Sequence, residues 1–203
     1  MTNYLIGFCG GSGAGKTTLV SKLLNHYGNK AVAIELDSYY KDSSGLSFKE
    51  REKINFDHPD SFDIDLLKEH LILLKSGKEI KKPIYDFKTH KRQKNTNTIY
   101  PNTLIFLEGT LIFYFIELIN IINLKIFIET KESIRYKRRI DRDIKQRGRT
   151  IFNVKEQYQN TVKPMHVKYI DPLKSIAEVI ISGELDIVDS VNRIIQKIDL
   201  LRS

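Results

Sequence analysis

The chain of 203 residues has very little cysteine: Cys9 is the only one. An internal disulfide is therefore impossible, which excludes the disulfide-stapled scaffolds of small secreted domains. Long apolar runs are also missing. Leu111 to Ile122 comes closest to bilayer-spanning length, but Glu117 and Asn120 interrupt it and Asn123 ends it. The first residues lack a basic region leading into a secretory core. Internal repeats, low-complexity tracts and interdomain linkers are absent too. These absences predict a cytoplasmic protein with no membrane partner. The length suits one domain, residues 1–203, with a sizeable core.

What is present begins with charge. The formal net charge is +8, which raises nucleic acid as a partner. Yet residues 131–149 alone hold nine Lys/Arg against three acids. A charge concentrated in one segment fits a compact anion such as a triphosphate better than a long polymer, so no nucleic-acid partner is expected. The competing reading is a solvated basic helix face.

Residues 10–18 read Gly10, Gly11, Ser12, Gly13, Ala14, Gly15, Lys16, Thr17, Thr18. Gly10, Gly15, Lys16 and Thr17 fit G-x-x-x-x-G-K-[ST], a loop whose backbone N–H groups converge on a polyphosphate at a helix N-terminus. Lys16 would reach the β- and γ-phosphates and the Thr17 hydroxyl would ligate Mg²⁺. The flanks agree, with the apolar run from Tyr4 to Cys9 before the loop and Leu19, Val20, Leu23 and Leu24 at helical spacing after it.

Further apolar runs at 31–36, 104–107, 124–128 and 177–181 predict four more strands. Helical patterns are expected near 48–53, and at 64–74, 131–146, 151–162 and 187–200. Segments 80–87 and 92–100 read as a β-hairpin, an appendage at about 79–100 rather than a second domain. The pattern is α/β with a five-stranded parallel sheet, whose carboxyl edge is where ligands bind. The phosphate loop, Asp37 and Glu108 all follow strand ends.

Phosphoryl transfer needs positioning and charge neutralisation. Thr17, Asp37 and Glu108 supply the oxygen ligands that Mg²⁺ requires, and Asp37 is placed to take a proton from an attacking hydroxyl. Taken alone, each acid is as readily a strand-end residue satisfied by turn amides. Arg138 or Arg139, and Arg142, follow at helical spacing, and Arg147 and Arg149 flank Gly148. Such arginines stabilise charge on a transferred group, with Gly148 as the hinge of a lid over about 131–162. Arg135 and Lys137 are expected on the solvent face. Aromatics beside carboxylates and a histidine, at 55–63 and 85–90, would suit a flat base with a sugar, although such residues more often serve a core.

Six segments in order, GGSGAGKTT at 10–18, LDSYYK at 36–41, NFDHPDSFD at 55–63, PIYDFKTHKR at 83–92, FLEGTLIFY at 106–114 and RRIDRDIKQRGR at 138–149, make the chain resemble the uridine kinase (uridine–cytidine kinase) family. The resemblance implies a P-loop NTPase fold and transfer of a γ-phosphoryl group from ATP or GTP to the 5′-hydroxyl of uridine or cytidine. It implies Asp37 as catalytic base, with Lys16, Arg142 and Arg147 on the phosphates, and Thr17, Asp37 and Glu108 as direct or water-mediated Mg²⁺ ligands. Asp57 and Arg139 become the ribose clamp; Tyr85, Phe87 and His90 the base pocket; Tyr40, Phe56, Arg149 and Gln157 its remaining wall. A homo-oligomer, typically a tetramer, is also implied. One segment departs from the family: Ser182-Gly183-Glu184-Leu185-Asp186 replaces a Pro-Arg-Gly-Gly-like turn beside the donor base.

Three other readings compete. A sugar-phosphate or pantothenate kinase of the same fold would lack the aromatic–histidine pocket. A GTP-driven switch would carry Asn-Lys-x-Asp, which does not occur. An RNA-binding module would use the basic segment and ignore nucleosides.

Overall fold

A computed structural model describes residues 3–202. The strands are β1 (Tyr4–Cys9), β2 (Ala31–Glu35), β3 (Ile80–Asp86), β4 (Lys91–Ile99), β5 (Leu104–Gly109), β6 (Leu124–Glu129) and β7 (Val179–Ser182). Five of them form a parallel sheet in the order β2-β5-β1-β6-β7, and β3 and β4 pair as a separate antiparallel hairpin. β1 lies at the centre, in register with β5 (Phe8 opposite Glu108) and with β6 (Phe8 opposite Ile126). Parallel strands need crossovers, and helices on both faces provide them.

The period-2 alternation of each strand divides the core in two. Leu5, Cys9, Ile105 and Leu107 face a layer with Leu67, Leu71 and Leu74 of the helix Ile64–Lys75. Ile6, Phe8, Leu104 and Phe106 face the other layer. There Leu19 and Leu23 of the helix Lys16–Tyr27 pack with Ile194 and Ile198 of the helix Ile187–Arg202. With both faces covered, only the strand ends are open to a ligand. Among the described residues no helix is long and apolar enough to cross a membrane.

The expected elements all form, with shifted ends. β2 stops at Glu35, and Leu36–Tyr39 is a 3₁₀ turn, so Asp37 sits in that turn beyond the strand. The helix expected over 151–162 does not stop there. After Ile151–Gln157 the chain stays helical through Ile176, with π turns at Tyr158–Val162 and His166–Ile170. Pro164 and Pro172 disguise this run in the sequence, because proline usually ends a helix; here π turns flank Pro164.

Candidate active site

The chain leaves β1 through the phosphate loop and enters a helix at Lys16. The loop is tied down by Ala14 N–H to Gly11 O (3.0 Å) and by the Thr130 hydroxyl, which donates to Ala14 O (3.0 Å). Lys16 is buried, and its Nζ donates to Gly10 O (2.8 Å) and Gly11 O (3.0 Å). Burial lowers its pKa, while Glu108 works in the opposite direction. The ammonium is therefore held in place by carbonyls of the loop it serves.

Two carboxylates flank it. Thr17 Oγ1 donates to Glu108 Oε2 at 3.0 Å. Burial pushes the Glu108 carboxyl up to about 7, against the pull of Lys16 and Thr17. Asp37 opens into the same cleft, with Arg147 Nη2 3.9 Å away. Among the described residues no group of three or more His, Cys, Asp or Glu could hold a metal. A hydroxyl and two carboxylates, all oxygen donors, form an incomplete shell. That suits Mg²⁺, which keeps waters and shares phosphate oxygens, and the rise of the Glu108 pKa marks a charge lacking compensation.

The basic helix Glu132–Arg147 contributes guanidinium groups gathered on one acid. Asp143 is fully buried, and its carboxylate lies 2.9 Å from Arg142 Nε, 3.5 Å from Arg139 Nε, 3.6 Å from Arg147 Nε and 3.9 Å from Arg149 Nη1. Burial alone would push this carboxyl up, yet Arg139, Arg142 and Arg147 outweigh it and hold the pKa below its ordinary value. Gly148 adopts φ +65°, the left-handed conformation that ends the helix and brings Arg149 back toward Asp143. Arg139 (2.8 Å) and Arg142 (3.3 Å) donate to Ser12 Oγ. Gln157 Oε1 accepts from Arg139 (2.9 Å) and from Arg149.

Arg135 corrects the sequence-based expectation. Lys137 is exposed as expected, but Arg135 is buried, its Nε donating to Thr130 O at 3.0 Å. The phosphate loop makes room for it, since a Cβ on Gly13 would lie only 2.3 Å from Arg135 O. Spacing on the helix could not foresee that a glycine loop would close over this turn.

The other end of the cleft is aromatic. Tyr40 stacks on Phe62 (4.6 Å) and leans on Tyr85 (4.9 Å); Tyr85 meets Phe87 edge-on; Phe56 stacks on His90 (5.0 Å between centroids, 12° between planes). His90 closes the hairpin at φ +54°, the one non-glycine residue with positive φ among those described. Such a conformation costs about 1–2 kcal/mol and concentrates at functional sites. Arg147 lies 4.0 Å above the Phe87 ring. Asp57 has its pKa raised by burial, with Arg139 as the main opposing charge.

These groups enclose one cleft of about 360 Å³, within the range of small-ligand sites. Tyr40, Phe56, Asp57, Tyr85, Phe87, His90, Arg139, Arg149 and Gln157 all line it, as do Asp37, Glu108, Arg142 and Arg147. From the phosphate loop Ser12, Lys16 and Thr17 reach in. Glu35, Ser38, Thr110 and Gln146 also line it and had no signal specific enough to find them. Asp143 was missed as well, although Arg139, Asp143 and Arg147 stand at i, i+4 and i+8, spacing that puts them on one helix face. In the segment that departs from the family pattern, Asp186 Oδ1 accepts from Val188 N–H (2.7 Å) at the start of the last helix, and Glu184 holds Lys131.

The description "Phosphoribulokinase / Uridine kinase family" matches residues 5–186. Among curated relatives, a uridine kinase from Clostridium novyi (strain NT) is 47% identical over 182 residues, 89% of this chain and 88% of that protein. One from Brevibacillus brevis is 48% identical over 178 residues, 87% of this chain and 83% of that protein. Among solved structures, D-glycerate 3-kinase from Cryptococcus neoformans superposes with a TM-score of 0.66 at 19% identity, covering 92% of this chain and 88% of that one. Phosphoribulokinase from Rhodobacter spheroides does so at 0.64 and 15% identity, covering 89% and 70%. At such identities the structures attest the fold.

Proposed function

The chain belongs to the phosphoribulokinase / uridine kinase family, and we propose that it is a nucleoside kinase passing the γ-phosphoryl group of ATP or GTP to the 5′-hydroxyl of uridine or cytidine. One observation carries this reading. The aromatic wall of Tyr40, Phe56, Tyr85 and His90 and the Asp57–Arg139 couple line the same cleft as Lys16, Thr17, Asp37 and Glu108. A flat base, a diol and a polyphosphate would each find matching chemistry within it.

The reaction forms a bond from the 5′-oxygen to the γ-phosphorus and breaks the bond from that phosphorus to the β–γ bridging oxygen. Asp37 accepts the proton of the attacking hydroxyl. Lys16, Arg142 and Arg147 hold the charge that spreads over the transferred oxygens. Asp57 accepts from the ribose hydroxyls while Arg139 donates, and the rings stack on the base. Thr17, Asp37 and Glu108 would hold Mg²⁺, which would supply positive charge to neutralise the phosphates. Arg147, between Phe87 and Asp37, links the acceptor wall to the reacting end. The working form is taken as a homo-oligomer, a tetramer on the family's pattern, in the cytoplasm.

A coupled ATP-consumption assay across the common nucleosides, with the product identified, tests this. Uridine or cytidine should give the monophosphate. 2′-Deoxyuridine should turn over at least ~10-fold more slowly, because it leaves the Asp57–Arg139 couple short of a partner. No pyrimidine monophosphate in the presence of magnesium and triphosphate would sink the proposal.

A further inference from the structure

One π turn, His166–Ile170, touches the loops that serve both substrates. His166 Nε2 donates to Asp171 Oδ1 at 3.0 Å, which fixes the ring. Nδ1 is buried with no hydrogen-bond partner among the described residues. It faces the phosphate loop: a Cβ on Gly11 would lie 2.8 Å from His166 Cε1, 2.9 Å from its Nδ1 and 2.7 Å from Arg135 Nη1. The imidazole and the guanidinium thus press together on a loop position that only glycine fills. Burial and Arg135 lower the His166 pKa.

Three residues on, Tyr169 turns to the acceptor side. Its hydroxyl lies 3.0 Å from His58 Nε2. Asp60 N–H donates to His58 Nδ1 (3.2 Å), leaving Nε2 to pair with the Tyr169 hydroxyl. The Tyr169 ring meets His58 and Tyr114 edge-on. His58 directly follows Asp57 in the loop assigned above to the ribose. The wider π turn separates residues three apart further around the axis than an α turn does, which lets neighbours in sequence reach two loops. Neither His166 nor Tyr169 lines the cleft.

We propose that His166 and Tyr169 are positioning residues, the first for the donor's phosphate loop and the second for Asp57, so that one helical turn sets the spacing of the two substrates. The proposal rests on the nucleoside-kinase reading of the cleft. In-line transfer needs the reacting atoms close together, and a shift of about 1 Å costs on the order of 100-fold in rate.

Calorimetric titration of wild type, Tyr169→Phe, His166→Asn and Asp171→Asn, with uridine and separately with a non-hydrolysable ATP analogue, tests this alongside both KM values. Tyr169→Phe, which removes a single hydroxyl, should weaken uridine roughly three- to tenfold and leave the analogue within about twofold. His166→Asn should do the reverse. If it fails to fold, Asp171→Asn, at an exposed position, should shift the analogue in the same direction. The proposal falls if uridine affinity survives Tyr169→Phe, or if the variants weaken both ligands equally and in step with lost thermal stability. Wild type that binds the analogue but no pyrimidine nucleoside would instead overturn the functional reading. The Tyr169 half would fall with it, and the His166 half would still be decided by the analogue.

Discussion

Replacing Glu108 by glutamine should stabilise the protein alone at pH 8 while removing its use of magnesium. Burial moves this carboxyl from an ordinary 4.5 to about 7. A carboxyl with a raised folded-state pKa binds its proton more tightly folded than unfolded. Its penalty is therefore absent below pH 4.5, grows between 4.5 and 7, and is complete above 7. The difference between those values corresponds to about 3 kcal/mol. Glutamine keeps an oxygen for the Thr17 hydroxyl and removes the charge, but it also takes an anionic neighbour from Lys16. A net gain of about 1–2 kcal/mol is expected, or roughly 3–6 °C in Tm for a chain of this size. At pH 5 most wild-type molecules carry the proton and the gain should nearly vanish. The chain has no tryptophan, so melting is best followed by far-ultraviolet circular dichroism, without magnesium or nucleotide. In the wild type, apparent Mg²⁺–ATP affinity should fall about tenfold per pH unit below 7 as the proton competes, and the variant should lose that dependence. A variant that melts below wild type at pH 8 by the same margin as at pH 5 would refute the reasoning.

Three further substitutions separate the roles. Asp37→Asn should lower kcat by roughly 10²–10⁴ while uridine binding, read by calorimetry, survives; turnover near wild type would remove Asp37 as base. His90→Ala should raise the uridine KM more than the ATP KM, and a change confined to ATP would overturn the base-pocket assignment. Asp143→Asn leaves four guanidinium groups without their shared counter-charge and should cost about 3–5 kcal/mol, since breaking a buried ionic cluster exposes the full desolvation penalty. A thermal melt within 2–3 °C of wild type, roughly 1 kcal/mol at this chain length, would show that the arginines do not depend on it.

The strands and most helices were legible because their signals are local. β1 and β5 are continuous apolar runs, and Gly148 stands where the basic helix ends. The motif at 10–18 identifies its own chemistry, and the resemblance to a family gave nine residues expected on the acceptor side, all of which line the cleft. Interactions between distant segments were not legible. Arg135 looks like any residue of a basic helix, and its burial depends on loop glycines that leave room for it, Gly11 beside its guanidinium and Gly13 beside its carbonyl. Glu35 enters the cleft because β2 and β5 pair with Glu35 opposite Glu108, a register absent from either strand alone. Pro164 and Pro172 hid the long helical run, because proline is ordinarily evidence against one.

Three of the nine residues proposed for the acceptor, Tyr85, Phe87 and His90, lie on the β3–β4 hairpin and its turn, which among the described residues shares no ladder with the five-stranded sheet. Side chains tie the hairpin to its surroundings: Lys82 to Glu35 of β2, and Arg92 to Asp63 at the start of the helix Ile64–Lys75. On the proposed assignment, a change of hairpin sequence would reshape the acceptor wall while leaving intact the parallel ladder that carries the phosphate loop and Glu108.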